Sequence, residues 1–140
     1  MENWIDLLKK YQGINNSLQI NKAASEEELA AVEKALHVKL PAELKSFLST
    51  ANGDSWLFFS AKQIIDNNIN TKKALEDSYD NLEPLLFFAG NGCGDYFAYE
   101  LQGETSQDHI ILRWNHEDNS RDEVADGLSD LIQKYYTDQI

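Results

Sequence analysis

The densest set of residues able to hold an anion is Gly90-Asn91-Gly92-Cys93-Gly94-Asp95, where glycines at alternate positions free the backbone N–H groups to turn toward a phosphate. Phosphate loops need more than glycine. This stretch lacks the Lys-Ser/Thr pair that reaches terminal phosphates and magnesium, and its spacing misses the dinucleotide fingerprint. Tyr96-Phe97-Ala98-Tyr99 follows with the composition of a strand, so no helix N-terminus stands behind the loop to supply a dipole. The cluster reads as a tight connection between strands, with Gly94 at backbone angles that only glycine tolerates.

Cys93 is the sole cysteine, and His37, His109 and His116 are the histidines that could activate it. Nothing in their spacing joins them, so Cys93 reads as a small packing residue and not as a nucleophile. His109, His116, Glu117 and Asp118 suggest a metal site. The seven-residue gap between the histidines fits neither a helical i, i+4 pair nor a zinc-finger spacing, which leaves a solvated, charged turn. Asp122 and Glu123 are a pair of carboxylates, but neighbours on a strand point to opposite faces and cannot share one substrate. The expectation is a protein that is not an enzyme, with no cofactor and no metal.

Charge is the remaining signal. The chain carries 24 acidic and 12 basic residues in 140, a net charge of -12. Residues 1–80 hold 12 acidic and 9 basic side chains (net -3), whereas residues 81–140 hold 12 and 3 (net -9). Nucleic acid and anionic membranes are thereby disfavoured as direct partners, since both require a Lys/Arg surplus, and a basic protein is favoured. Asp95, Tyr96, Glu100, Trp114, Glu117 and Asp118 are the candidate partner-binding residues, drawn from a wider acidic set with Glu104, Asp108, Asp122, Glu123 and Asp126 that is interleaved with Tyr99. Aromatic anchors inside a charged rim suit an interface. The competing reading is that the aromatics fill the core while the acids keep the domain soluble.

These residues must be positioned by elements of one domain, 1–140. Trp4, Leu7, Leu8 and Tyr11 keep a helical period that Gly13 ends. Ser25 and Glu28 form a capping box ahead of Leu29, Val32 and Leu36, and Pro41 opens a second helix through Leu44, Phe47, Leu48 and Ala51, stopped at Asn52-Gly53. Trp56-Leu57-Phe58-Phe59 has the composition of a strand. Ser60 and Gln63 form a second capping box before Ile64 and Ile65, Asp66 to Asn70 reads as a loop, and Thr71 caps a further turn through Ala74, Leu75 and Tyr79. Leu85–Ala89, Tyr96–Leu101 and Ile110–Trp114 form an antiparallel meander, and a helix capped by Asp126 closes the chain through Leu128, Leu131, Ile132 and Tyr135. The fold class is α+β, an antiparallel sheet of short strands flanked by helices. One cysteine, no basic-then-apolar leader at Met1, and no apolar run near the ~20 residues of a membrane span point to the cytoplasm.

The series Ser25, Leu29, Val32, Glu33, Leu36, Leu40-Pro41, Leu44-Lys45, Phe47-Leu48 and Asn52-Gly53 resembles the opening motif of the SUKH superfamily, which includes fungal cell-wall assembly regulators of the Smi and Knr type. The hairpin Leu85–Leu101 with its glycine turn, and the stretch Leu128–Tyr136, resemble its later elements. What the resemblance implies is a SUKH-like fold and a non-enzymatic protein. Bacterial members are typically immunity proteins that bind and block a cognate toxin, often a nuclease, and eukaryotic members are regulatory interaction modules. It assigns no site residue, because members diverge at their binding surfaces. The expected partner is therefore a basic toxin domain, with a regulatory protein as the alternative.

Overall fold

The computed structural model describes residues 4–12, 19–54, 56–106 and 109–140, without the side chains of Gln12 and Ser106. The expected helix stop at Gly13 and the acidic residue Asp108 lie outside that set. Helix α1 (Trp4–Gln12) buries Trp4, Leu8 and Tyr11 along one face. Helix α2 (Glu26–Leu36) carries the expected capping box: the Ser25 hydroxyl accepts from the Glu28 N–H at 3.1 Å while the Glu28 carboxylate accepts from the Ser25 N–H at 3.0 Å. His37, in the left-handed region at φ 55°, ends α2, and Pro41 is the N-cap of α3 (Ala42–Leu48). Leu44, Phe47 and Leu48 are fully buried, with the Phe47 ring 4.2 Å from that of Phe58 and 5.7 Å from that of Trp4.

Three expectations fail between residues 54 and 75. Trp56 to Phe59 form no strand. The Asp54 carboxylate accepts the N–H groups of Trp56, Leu57 and Phe58 at 2.9, 2.7 and 3.0 Å, taking the donors a ladder would use, and a single bridge from Phe58 to Ala89 remains. The asparagine run is no loop. It is a π-helical turn, Asn67–Thr71, set between α4 (Ala61–Asp66) and α5 (Lys72–Leu75), so Thr71 lies inside a helical run and caps nothing. Asn68 is buried there; its amide donates to the Phe87 carbonyl at 2.7 Å and accepts from the Phe87 N–H at 2.9 Å. One side chain thus pairs with the sheet edge as a neighbouring strand would.

The sheet is antiparallel in the order β1 (Leu85–Gly90), β2 (Tyr96–Gln102), β4 (Ile110–Trp114), β5 (Arg121–Asp126), with the short β3 (Thr105–Ser106) paired to β2. The strand β5 lies outside the expected three-strand meander, because Arg121, Asp122 and Glu123 hide an edge strand that has few apolar residues. One face carries Leu86, Phe88, Phe97, Tyr99 and Ile111 into the main core under the helices. The other carries Phe87, Ala98 and Trp114 into a smaller cluster with Leu82 and Leu85. Helix α6 (Leu128–Tyr136) starts from Gly127 at φ 101°, and Asp126 does not cap it. The cap comes from Glu43 on α3, whose carboxylate accepts the Leu128 N–H at 3.0 Å and the Tyr99 hydroxyl at 2.8 Å. No helix among the described residues is long and apolar enough to cross a membrane.

Candidate functional site

Strand register brings two turns together at one end of the sheet. Gly90 pairs with Tyr96, and Tyr96 with Trp114, so the β1–β2 turn and the β4–β5 turn lie side by side. Asp95 joins them. Its carboxylate accepts the His116 backbone N–H at 3.1 Å, contacts the His116 ring Nδ1 at 2.6 Å and accepts from the Asn91 amide at 3.2 Å. Partial burial pushes the Asp95 carboxyl up, but the bonds from His116 and Asn91 outweigh it and hold the group below the usual carboxylate range. Asp95 is therefore a fixed negative charge at neutral pH. Gly94 packs against the same histidine: at φ +105° a Cβ would stand 3.0 Å from the His116 ring.

The second turn is held from below. Trp114 Nε1 donates to the Asn119 side chain at 2.7 Å, and the Asn119 amide donates to the Asp80 carbonyl at 3.1 Å. The Tyr79 hydroxyl donates to the His116 carbonyl. Glu117 and Asp118 project into solvent from this braced turn. The Asp118 carboxyl lies below its ordinary value because the Ser120 hydroxyl and N–H both bond to it.

A cleft of about 370 Å³ opens beside Asp95, walled by Trp56, Phe59 and Tyr96 and by the glycines of the 90–94 turn, with Asp54 also in its lining. Trp56 is 48% exposed and stacks on no described aromatic ring, unlike Trp4 and Trp114, which are buried. Asp54 is itself buried; burial pushes its carboxyl up more than three backbone N–H groups and the Tyr136 hydroxyl at 3.2 Å pull it down.

The structure gathers some of the expected residues and separates others. Asp95, Tyr96, Glu117 and Asp118 share one end of the sheet. Glu100 pairs with Leu85 at the far end of the β1–β2 ladder, about 13 Å along the strand from Tyr96. Trp114, at 1% exposure, is a core residue and supports the surface from beneath; Tyr99 is fully buried as well. Tyr96 is half-buried, stacked on Phe87 at 4.7 Å. Cys93 is exposed in the turn and does not pack, contrary to expectation. His109 pairs with Asp126 and His116 with Asp95, and no group of three or more His, Cys, Asp and Glu among the described residues could hold a metal.

Trp56 is not among the expected partner-binding residues because it sits in a run that looks like a buried strand. The available signal was Gly53-Asp54, a pair that favours a side-chain-bonded turn. A larger cavity of about 610 Å³ lies between α2 and the 67–75 helical run, where Lys72 and Lys73 face Glu76, Asp80 and Glu83. Its charges are opposed within the cavity, and Lys72, lowered to about 8 by burial, donates to the Leu85 carbonyl. The cleft beside Asp95 has no such balance.

A search of curated proteins finds no match. The model of the SMI1 / KNR4 family (SUKH-1) matches residues 23–134, from the entrance to α2 to near the end of α6. The chain belongs to the SMI1 / KNR4 family (SUKH-1).

Proposed function

We propose that this protein is a cytoplasmic, non-enzymatic immunity protein that neutralises a cognate toxin by stoichiometric binding, and that the toxin presents a basic surface of the kind a nuclease uses to hold phosphates. Family membership supports an immunity or a Smi/Knr-type role. The observation that carries the choice is the end of the sheet where Asp95 lines a cleft with the exposed Trp56 and Glu117 and Asp118 project from the adjoining turn, these three acids belonging to the half of the chain whose net charge is -9. A braced acidic surface speeds encounter with a basic partner and competes with nucleic acid for it, and an exposed tryptophan is the residue type most often central to an interface. No turnover is required for this role.

Affinity capture from the native host with the full chain as bait tests the reading. The expected result is a partner with a basic domain whose toxic activity falls to zero at equimolar protein. A captured partner that retains its full activity in the complex contradicts neutralisation and leaves a regulatory interaction module.

A further inference from the structure

The cleft beside Asp95 has a composition that selects one kind of occupant. Its walls include Trp56, Phe58, Phe59 and Tyr96, its charged lining residues are Asp54 and Asp95, and no lysine, arginine or histidine lines it. Asp95 is ionised, and its second oxygen takes only the 3.2 Å bond from Asn91, leaving acceptor capacity. The indole N–H of Trp56 donates to no described residue, and the exposed ring offers a π-face at the rim. Asp54 anchors the backbone beneath Trp56 through three N–H bonds, so the indole is carried on a fixed turn. A cation with flat apolar faces and several donors fits an aromatic-walled cleft with carboxylates in its lining. A guanidinium meets that description better than an ammonium, because it is planar, weakly hydrated and able to stack while donating to a carboxylate.

We infer that the cleft between Trp56 and Asp95 is a seat for one arginine side chain of the protein partner. This rests on the reading of the acidic end as the partner surface and names the residue type that enters it. The side chain stacks on Trp56 and donates to Asp95, while Glu117 and Asp118 attract the basic surface around it. Lysine enters the same field but lacks the planar fork, so specificity comes from the aromatic wall and attraction from the charge.

N-acetyl-arginine amide and N-acetyl-lysine amide, added to the full-length protein, separate this seat from general attraction of cations. The readout is the tryptophan indole N–H region of the NMR spectrum, with the Trp56 signal identified by its loss in Trp56→Phe. The expected result is a saturable shift of the Trp56 signal alone among the indoles and roughly fivefold stronger binding for the arginine probe; in the variants, which lack this indole, binding is read from the backbone amide signals of residues 90–95 and is expected to be abolished in Trp56→Ala and largely kept in Trp56→Phe. Trp56 is exposed, so both variants are expected to fold, and thermal melts verify it. Equal binding of the two probes, or arginine binding undiminished in Trp56→Ala, overturns the seat. So does the absence of a saturable shift. Such results leave the capture experiment free to succeed, whereas failed neutralisation with arginine-selective binding leaves the seat and removes the toxin.

Discussion

At the scale of single residues, the carboxylates differ by environment and not by type. Asp95 is held below its ordinary value, so its contribution to stability is present above the unfolded value of 3.8 and is lost as pH falls through the folded one. Asp54 has the opposite sign: its raised folded value makes its contribution greatest below 3.8 and lost as pH rises through the folded value. Asp95→Asn is expected to lower the urea midpoint at pH 6, with the difference from wild type shrinking below about pH 4. A difference that stays constant down to pH 3 contradicts the assigned charge. Gly94→Val places a β-branched residue at φ +105° against the His116 ring, and a loss of at least about 1 kcal/mol is expected in chemical denaturation. An unchanged midpoint means that the turn tolerates a side chain. Gly94 was legible because a glycine between strand patterns signals special angles, and Trp56 was not, because its exposure depends on what the Asp54 carboxylate does to the next turns of chain.

At the scale of elements, short-range rules held where partners are close in sequence. Both capping boxes, Ser25 with Glu28 and Ser60 with Gln63, form as their three-residue spacing requires. The α2–α3 pair and the β1–β2 hairpin were visible for the same reason: their periodicity and turn residues lie within the segment. Asn68 shows the limit. Its place in a π turn depends on Phe87, a partner nineteen residues away that no local pattern exposes. Asn68→Ala leaves the Phe87 N–H and C=O without their side-chain partner at a buried sheet edge, and a cost of about 2–4 kcal/mol is expected in chemical denaturation. A cost below about 0.5 kcal/mol contradicts the role of the amide as a substitute strand. The cap on α6 escaped the sequence in the same way, since Glu43 reaches Leu128 across 85 residues while the adjacent Asp126 remains in β5.

At the scale of the whole molecule, helices and the 56–75 segment close one face of the sheet and the β1 edge, while the turns at one end display charge. The uneven division of charge, -3 over residues 1–80 and -9 over residues 81–140, was legible from counting alone. Which acids cluster was not, because strand register sends Glu100 to one end of β2 and Asp95 to the other. The proposed function requires that end to be the surface a basic partner meets. Its most direct test is the association rate of the captured partner by surface plasmon resonance at two salt concentrations, for wild type and for Glu117→Lys with Asp118→Lys. Both residues are exposed, so the double reversal is expected to leave the melting temperature within a few degrees of wild type. The predicted result is an on-rate that falls as salt rises and falls about tenfold on reversal at low salt, with a smaller change in off-rate. An on-rate independent of salt and unaffected by the reversal would contradict it and take the acidic end out of the interface.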